Sequence, residues 1–218
     1  SYAASTATDE QILKAIDKVP APPKSITDVI KSLDAAKPDM SGIQKSKDLL
    51  EAKPPAGVSN LELLEFYKSR ARAAEELGLA KPMLENCQKE QELANRNDRD
   101  QFLDAQISCI QVDFLTGNIP HAIERIQQAL ASVPATQSYG WQLTFQMLLI
   151  NANRIMGNLA ASEQAVREVD GLMVVLRRSP AAAEWGPNWT YQSERARGEY
   201  LLTAGNPVAA ELSFIRSL

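Results

Sequence analysis

"GNIPHAIERIQQALASVP", residues 117–134, opens on a glycine–asparagine turn and closes on a proline. Between these marks Ala122, Ile126 and Ala129 recur every three or four residues, the spacing that places side chains on one stripe of a helix. Two antiparallel helices joined by a short turn approach closely only where their contact points are Ala, Gly or Ser, while bulkier neighbours fill the space beside the crossing. The small residues of this stripe are therefore expected to be docking points for other helices. Glycine supplies the left-handed backbone that ends one helix, and proline marks where the next one stops.

The same punctuation recurs along the chain. "GNLAAS" begins at Gly157 and "GNPVAA" at Gly205, each with a small residue five positions on, Ser162 and Ala210, as Ala122 follows Gly117. "LGLAKPM" around Gly78 carries a degraded version, and a helix break lies near Pro38. Breaks at 38, 78, 117, 157 and 205 are spaced by 40, 39, 40 and 48 residues. A near-constant step of this size is the mark of a stacked array.

Each step reads as a helix pair. Leu61, Leu64, Tyr67, Ala71, Ala74 and Leu77 form one apolar stripe, followed by a partner helix over about 82–94. Further pairs are predicted over about 99–116 and 120–132, 138–156 and 159–177, and 188–204 and 207–218. Ser25 with Asp28 three residues on has the form of a capping box for a helix to about Ala36, with another from about Ser41 to Ala52. "DEQILKAIDKV" reads as one more short helix, cut off by the non-helical "PAPPK". No segment alternates with period two, so the expected fold is all-α: an N-terminal region over 1–57 with a degenerate first pair, then helical repeats over 58–218. The chain stops at Leu218 inside an amphipathic helix without a stop signal, which reads as a fragment whose last repeat is truncated.

These residues resemble the tetratricopeptide repeat family in its long-helix variety. Gly117, Ala122, Ile126, Ala129 and Pro134 match the turn, small, bulky, small and terminal-proline positions of one unit, and Gly198, Ala210 and Phe214 match the last. The step of about 40 exceeds the family's 34, and paired-helix arrays of the HEAT or armadillo kind are the alternative fold. The style of the array is also similar to the N-terminal regions of bacterial proteins that end in a caspase-like CHAT peptidase. The resemblance implies a superhelical α-solenoid that binds a peptide or partner protein in a concave groove. Groove positions lie about ten, six and three residues before each turn glycine: Lys68, Arg72 and Glu75; Ile107, Gln111 and Phe114; Met147, Asn151 and Arg154; Arg195, Glu199 and Leu202. Such a row offers amides for a peptide backbone and cations for a carboxylate. The alternatives are a solvated helix face with local ion pairs, the regulatory region of a larger enzyme, or self-association through the exposed C-terminal helix.

The bulk composition narrows the rest. Hydrophobic residues make up 44% and charged residues 23%, enough for a buried core. With 23 basic and 27 acidic residues mixed along the chain, no basic footprint points to nucleic acid. No stretch reaches the roughly 18 apolar residues of a membrane span. The N-terminus has no positive segment or apolar core, so a cytoplasmic protein and one exported after loss of a signal peptide remain open. His121, the sole histidine, is expected to be a solvated residue at a helix start, and without clustered ligands there is no metal or cofactor set. Cys87 and Cys109 are expected as small buried hydrophobes, with a disulfide open if their helices are neighbours. Glu75 with Glu76 and Glu90 with Glu92 read as charged helix faces. No nucleophile elbow, phosphate loop or metalloprotease helix is present, so a non-catalytic role is expected. Trp185, Trp189 and Tyr191, within the insertion "RRSPAAAEWGPNWTYQ", are expected to cover the edge of a neighbouring helix pair.

Overall fold

The computed structural model describes residues 25–35, 39–95, 98–134 and 138–218, and the short helix read into residues 9–19, with the "PAPPK" that follows it, lies outside them. Among the described residues there are ten helices and no strand. They are α1 (Ile26–Ala35), α2 (Met40–Glu51), α3 (Asn60–Glu76), α4 (Ala80–Leu93) and α5 (Arg99–Leu115), then α6 (Ile119–Ser132), α7 (Tyr139–Ile155), α8 (Leu159–Leu176), α9 (Ala182–Thr203) and α10 (Pro207–Arg216). The chain divides into two units at Met40. The first contains α1, whose opening turn is capped as expected, the Asp28 amide donating to Ser25 Oγ at 3.1 Å. The second holds the array, in which consecutive helices pack in adjacent pairs.

Four turns make the array regular. At Gly78, Gly117, Gly157 and Gly205 the backbone takes φ of 67°, 74°, 73° and 79°, the left-handed region where a β-carbon is strained. After each glycine the next amide reaches back five residues to a carbonyl of the finished helix. These bonds run from Leu79 to Ala74, Asn118 to Asp113, Asn158 to Asn153 and Asn206 to Leu201, at 2.8, 2.8, 2.8 and 2.9 Å. This is the Schellman arrangement, which satisfies carbonyls the helix end would leave orphaned. Asn158 and Asn206 then cap the following helix by accepting from the amides of Ala161 and Ala209.

The small stripe of α6 is buried where it was expected. Ala122, Ile126 and Ala129 sit between α5 and α7, in a cluster with Leu103, Ile110, Phe145 and Ala152. Phe145 is fully covered and stacks on Trp141 at 6.1 Å between ring centroids. Burial of each such large side chain is worth roughly 1.5–3 kcal/mol, so the α5–α7 junction is held mainly by apolar packing. A second cluster joins α7, α8 and α9 through Leu143, Ile150, Val169, Met173 and Leu176. Ser162 serves as a small contact point there by donating to the Ile150 carbonyl at 2.9 Å.

Four expectations require correction. Leu61 is 53% exposed, because it lies in the first turn of α3, ahead of the packed stripe that Leu64, Ala71 and Ala74 form. The last first-helix begins at Ala182 and not near 188, so most of the insertion is helix. Pro187 removes a single intrahelical bond there, and the alanines before it favour the helical state. Trp189 packs on the α7–α9 cluster as an edge cover, whereas Trp185 and Tyr191 are 48% and 45% exposed. Finally, Cys87 and Cys109 are bonded to each other, with Cα atoms 5.3 Å apart, tying α4 to α5.

Candidate binding groove

First helices of successive pairs pack on one another at two steps, α3 on α5 and α7 on α9. Along these contacts lie two clefts. Lys68, Arg72 and Glu75 of α3 face Asp104, Ile107, Ser108 and Gln111 of α5 around a space of ≈ 140 Å³. Thr144, Met147, Leu148 and Asn151 of α7 face Tyr191, Gln192, Arg195, Ala196 and Glu199 of α9 around one of ≈ 290 Å³. Nine of the twelve positions chosen by their distance from a turn glycine thus line one of these two clefts.

The remaining three have other surroundings. Phe114 is half-buried and packs on the α5–α7 core, so its ring is occupied. Leu202 is exposed near the end of α9. Arg154 Nη2 donates to Asn151 Oδ1 at 2.5 Å and to Glu199 Oε2 at 3.1 Å, bridging α7 to α9 as a brace. Glu199 is held from its other side by Arg195 Nε at 3.3 Å, one helical turn away. The Arg195 side chain is 59% exposed, and the Tyr191 hydroxyl, with the Glu199 carboxylate after it, raises its pKa. In the other cleft Lys68 is ion-paired with Asp104 across α3 and α5, while Arg72 and Gln111 are exposed.

Ser108, which lines the smaller cleft, is bonded to a buried carboxyl group on α4. Glu90 is only 1% exposed, not part of a charged face, and its Oε2 accepts from Ser108 Oγ at 2.7 Å. Burial pushes its pKa up to about 7, against the lowering effect of the Ser108 bond. Its Oε1 has no hydrogen-bond partner among the described residues. Glu92, by contrast, is exposed as expected and pairs with Lys89. The burial of Glu90 was signalled by register, since it follows Met83 and Cys87 on one stripe of α4, but its partner Ser108 on the next helix was not.

His121 stands at the helix start as expected, its side chain 41% exposed, but it is also paired. Its Nδ1 lies 2.9 Å from Oδ1 of the buried Asp113, whose Oδ2 is 3.0 Å from Arg125 Nε. The same Nδ1 lies 3.4 Å from Arg125 Nε, so it stands between a carboxylate and a guanidinium. No hydroxyl or thiol completes a nucleophilic relay with this pair among the described residues. Nor is there any group of three His, Cys, Asp or Glu among them disposed to hold a metal ion, and no described helix is long and apolar enough to cross a membrane.

No family model, curated protein or solved structure matches this chain.

Proposed function

We propose that this chain is a non-catalytic, tetratricopeptide-like scaffold that binds a peptide or partner protein along the row of its first helices. One observation supports the reading above others: positions about 40 to 48 residues apart in sequence, which the resemblance assigns to a groove, meet in pairs across α3–α5 and α7–α9. The α7–α9 cleft has the better chemistry for a ligand. Met147, Leu148 and Ala196 supply an apolar wall, Asn151 and Thr144 can bond a backbone, and Arg195 is placed for a carboxylate. Glu199, pinned between Arg154 and Arg195, holds the latter in position without burying it.

The test is selection from a random dodecapeptide library, followed by anisotropy titration of the enriched peptide. Arg195→Glu is expected to weaken binding at least tenfold at unchanged Tm, while Arg154→Glu weakens it and also lowers Tm, because that side chain braces α7 to α9. Binding indifferent to Arg195→Glu, or no enriched peptide, would remove the groove from consideration.

A further inference from the structure

Helix α5 lines a cleft on a second face as well. At 100° per residue, Arg99, Phe102 and Gln106 lie on a side of α5 well away from Asp104, Ile107 and Gln111. They are joined by Gln91 of α4 and by Arg125 and Ser132 of α6, around a cleft of ≈ 570 Å³. Two of its three walls come from second helices, so this is a different site from the groove between first helices.

The lining is chemically one-sided. It contains two guanidinium groups, two carboxamides, a hydroxyl and a phenyl ring, and no carboxylate among the described residues, in a chain whose formal net charge is −4. Its donors are also prearranged. Arg125 Nε lies 3.0 Å from Asp113 Oδ2 and donates to His121 Nδ1 at 3.4 Å, and among the described residues the two terminal nitrogens of that guanidinium have no hydrogen-bond partner. Gln91 Nε2 donates to Gln106 Oε1 at 3.0 Å, which leaves Gln106 Nε2 as a donor without a partner among the described residues. Arg99 is anchored through Nη1 to Ser138 Oγ at 3.2 Å. Phe102 is half-buried against the α5–α7 core, a fixed apolar wall. Fixed donors of this kind bind oxyanions well because little side-chain freedom is lost on binding.

We propose that this cleft is a binding site for a small organic oxyanion, its apolar body against Phe102 and its phosphate or carboxylate taken by Arg99, Arg125 and Gln106. Phosphate and carboxylate share the recognition chemistry, and the experiment separates them. The full chain, labelled with ¹⁵N, is titrated with phenyl phosphate and, in parallel, with benzoate. Saturable shifts are expected at the Phe102 and Gln106 amides and at Arg125 Nε, and the tighter probe identifies the headgroup. Gln106→Glu, which places a carboxylate in the site, and Arg99→Glu are each expected to weaken the tighter probe at least tenfold. Arg195→Glu, in the groove, is expected to leave it unchanged. Failure of both probes to saturate, or saturation unaltered by both cleft variants, overturns the proposal.

Discussion

The ring of Phe214 lies directly over Gly198: a β-carbon at position 198 would sit 2.6 Å from Phe214 Cε1. This contact joins α10 to α9 at a buried point in the middle of a helix, where glycine is ordinarily a liability of about 1 kcal/mol relative to alanine. Gly198→Ala is therefore expected to reverse the usual sign, lowering stability by roughly 1–3 kcal/mol as the ring is forced from its seat. Chemical denaturation measures it, and the additional change Phe214→Leu should recover part of the loss. A stabilised Gly198→Ala protein would mean that the ring moves aside freely.

The turn glycines make a cleaner case. Nothing lies within 4 Å of where a β-carbon would stand at Gly117 or Gly157, so only the left-handed backbone resists substitution. Alanine at either position should cost on the order of 1–2 kcal/mol and asparagine less. Equal losses for the two residues would rule out backbone strain as the cause.

The Cys87–Cys109 bond closes a loop across 22 residues between two helix pairs. Replacing both cysteines with alanine is expected to destabilise the protein by about 3 kcal/mol on the chain-entropy account. Because both sulfurs are buried, a dithiol reductant should act on the native protein slowly and far faster in denaturant. Mass spectrometry of thiols alkylated over time distinguishes this from an accessible bond.

Glu90 gives the molecule a pH dependence with a definite sign. Its folded pKa of about 7 lies above its ordinary value of 4.5, so the native state binds the extra proton between those limits. The protonated group's contribution is complete below about pH 4.5 and is lost as pH rises through 7. Glu90→Gln keeps an acceptor for Ser108 and removes the charge. It is expected to raise stability at pH 8 by on the order of 1–3 kcal/mol and to change it little near pH 4.5. Parallel unfolding curves at the two pH values, with equal offsets for the variant, would show that Glu90 is not the group responsible.

What the sequence disclosed and what it withheld have a common physical origin. Turns and stripes are local: Gly117 with Ala122, Ile126 and Ala129 fixes a helix end and one face within thirteen residues, and those residues behave as read. The groove positions follow from the same register. Partners across a junction are not local. Whether Cys87 meets Cys109, Glu90 meets Ser108 or Asp113 meets His121 depends on how far one helix is rotated against its neighbour. Arg154 shows the boundary, since its register was legible but its engagement with Glu199 on the next pair was not. The insertion was misread because Gly186 and Pro187 carry strong local signals that the extended α9 overrides at the cost of one hydrogen bond.

Every one of the four Schellman turns closes its hydrogen bonds within six residues and makes no demand on anything beyond them. Length is therefore free to change between turns but not at them. The 48-residue step before Gly205 bears this out, its surplus taken up ahead of and within the start of α9 while the turn itself keeps the same bonds as its predecessors. An array punctuated in this way is modular in the manufacturing sense. The joint itself sets no condition on which unit follows; that condition lies in the contacts between units, Cys87 with Cys109 and Arg154 with Glu199 among them.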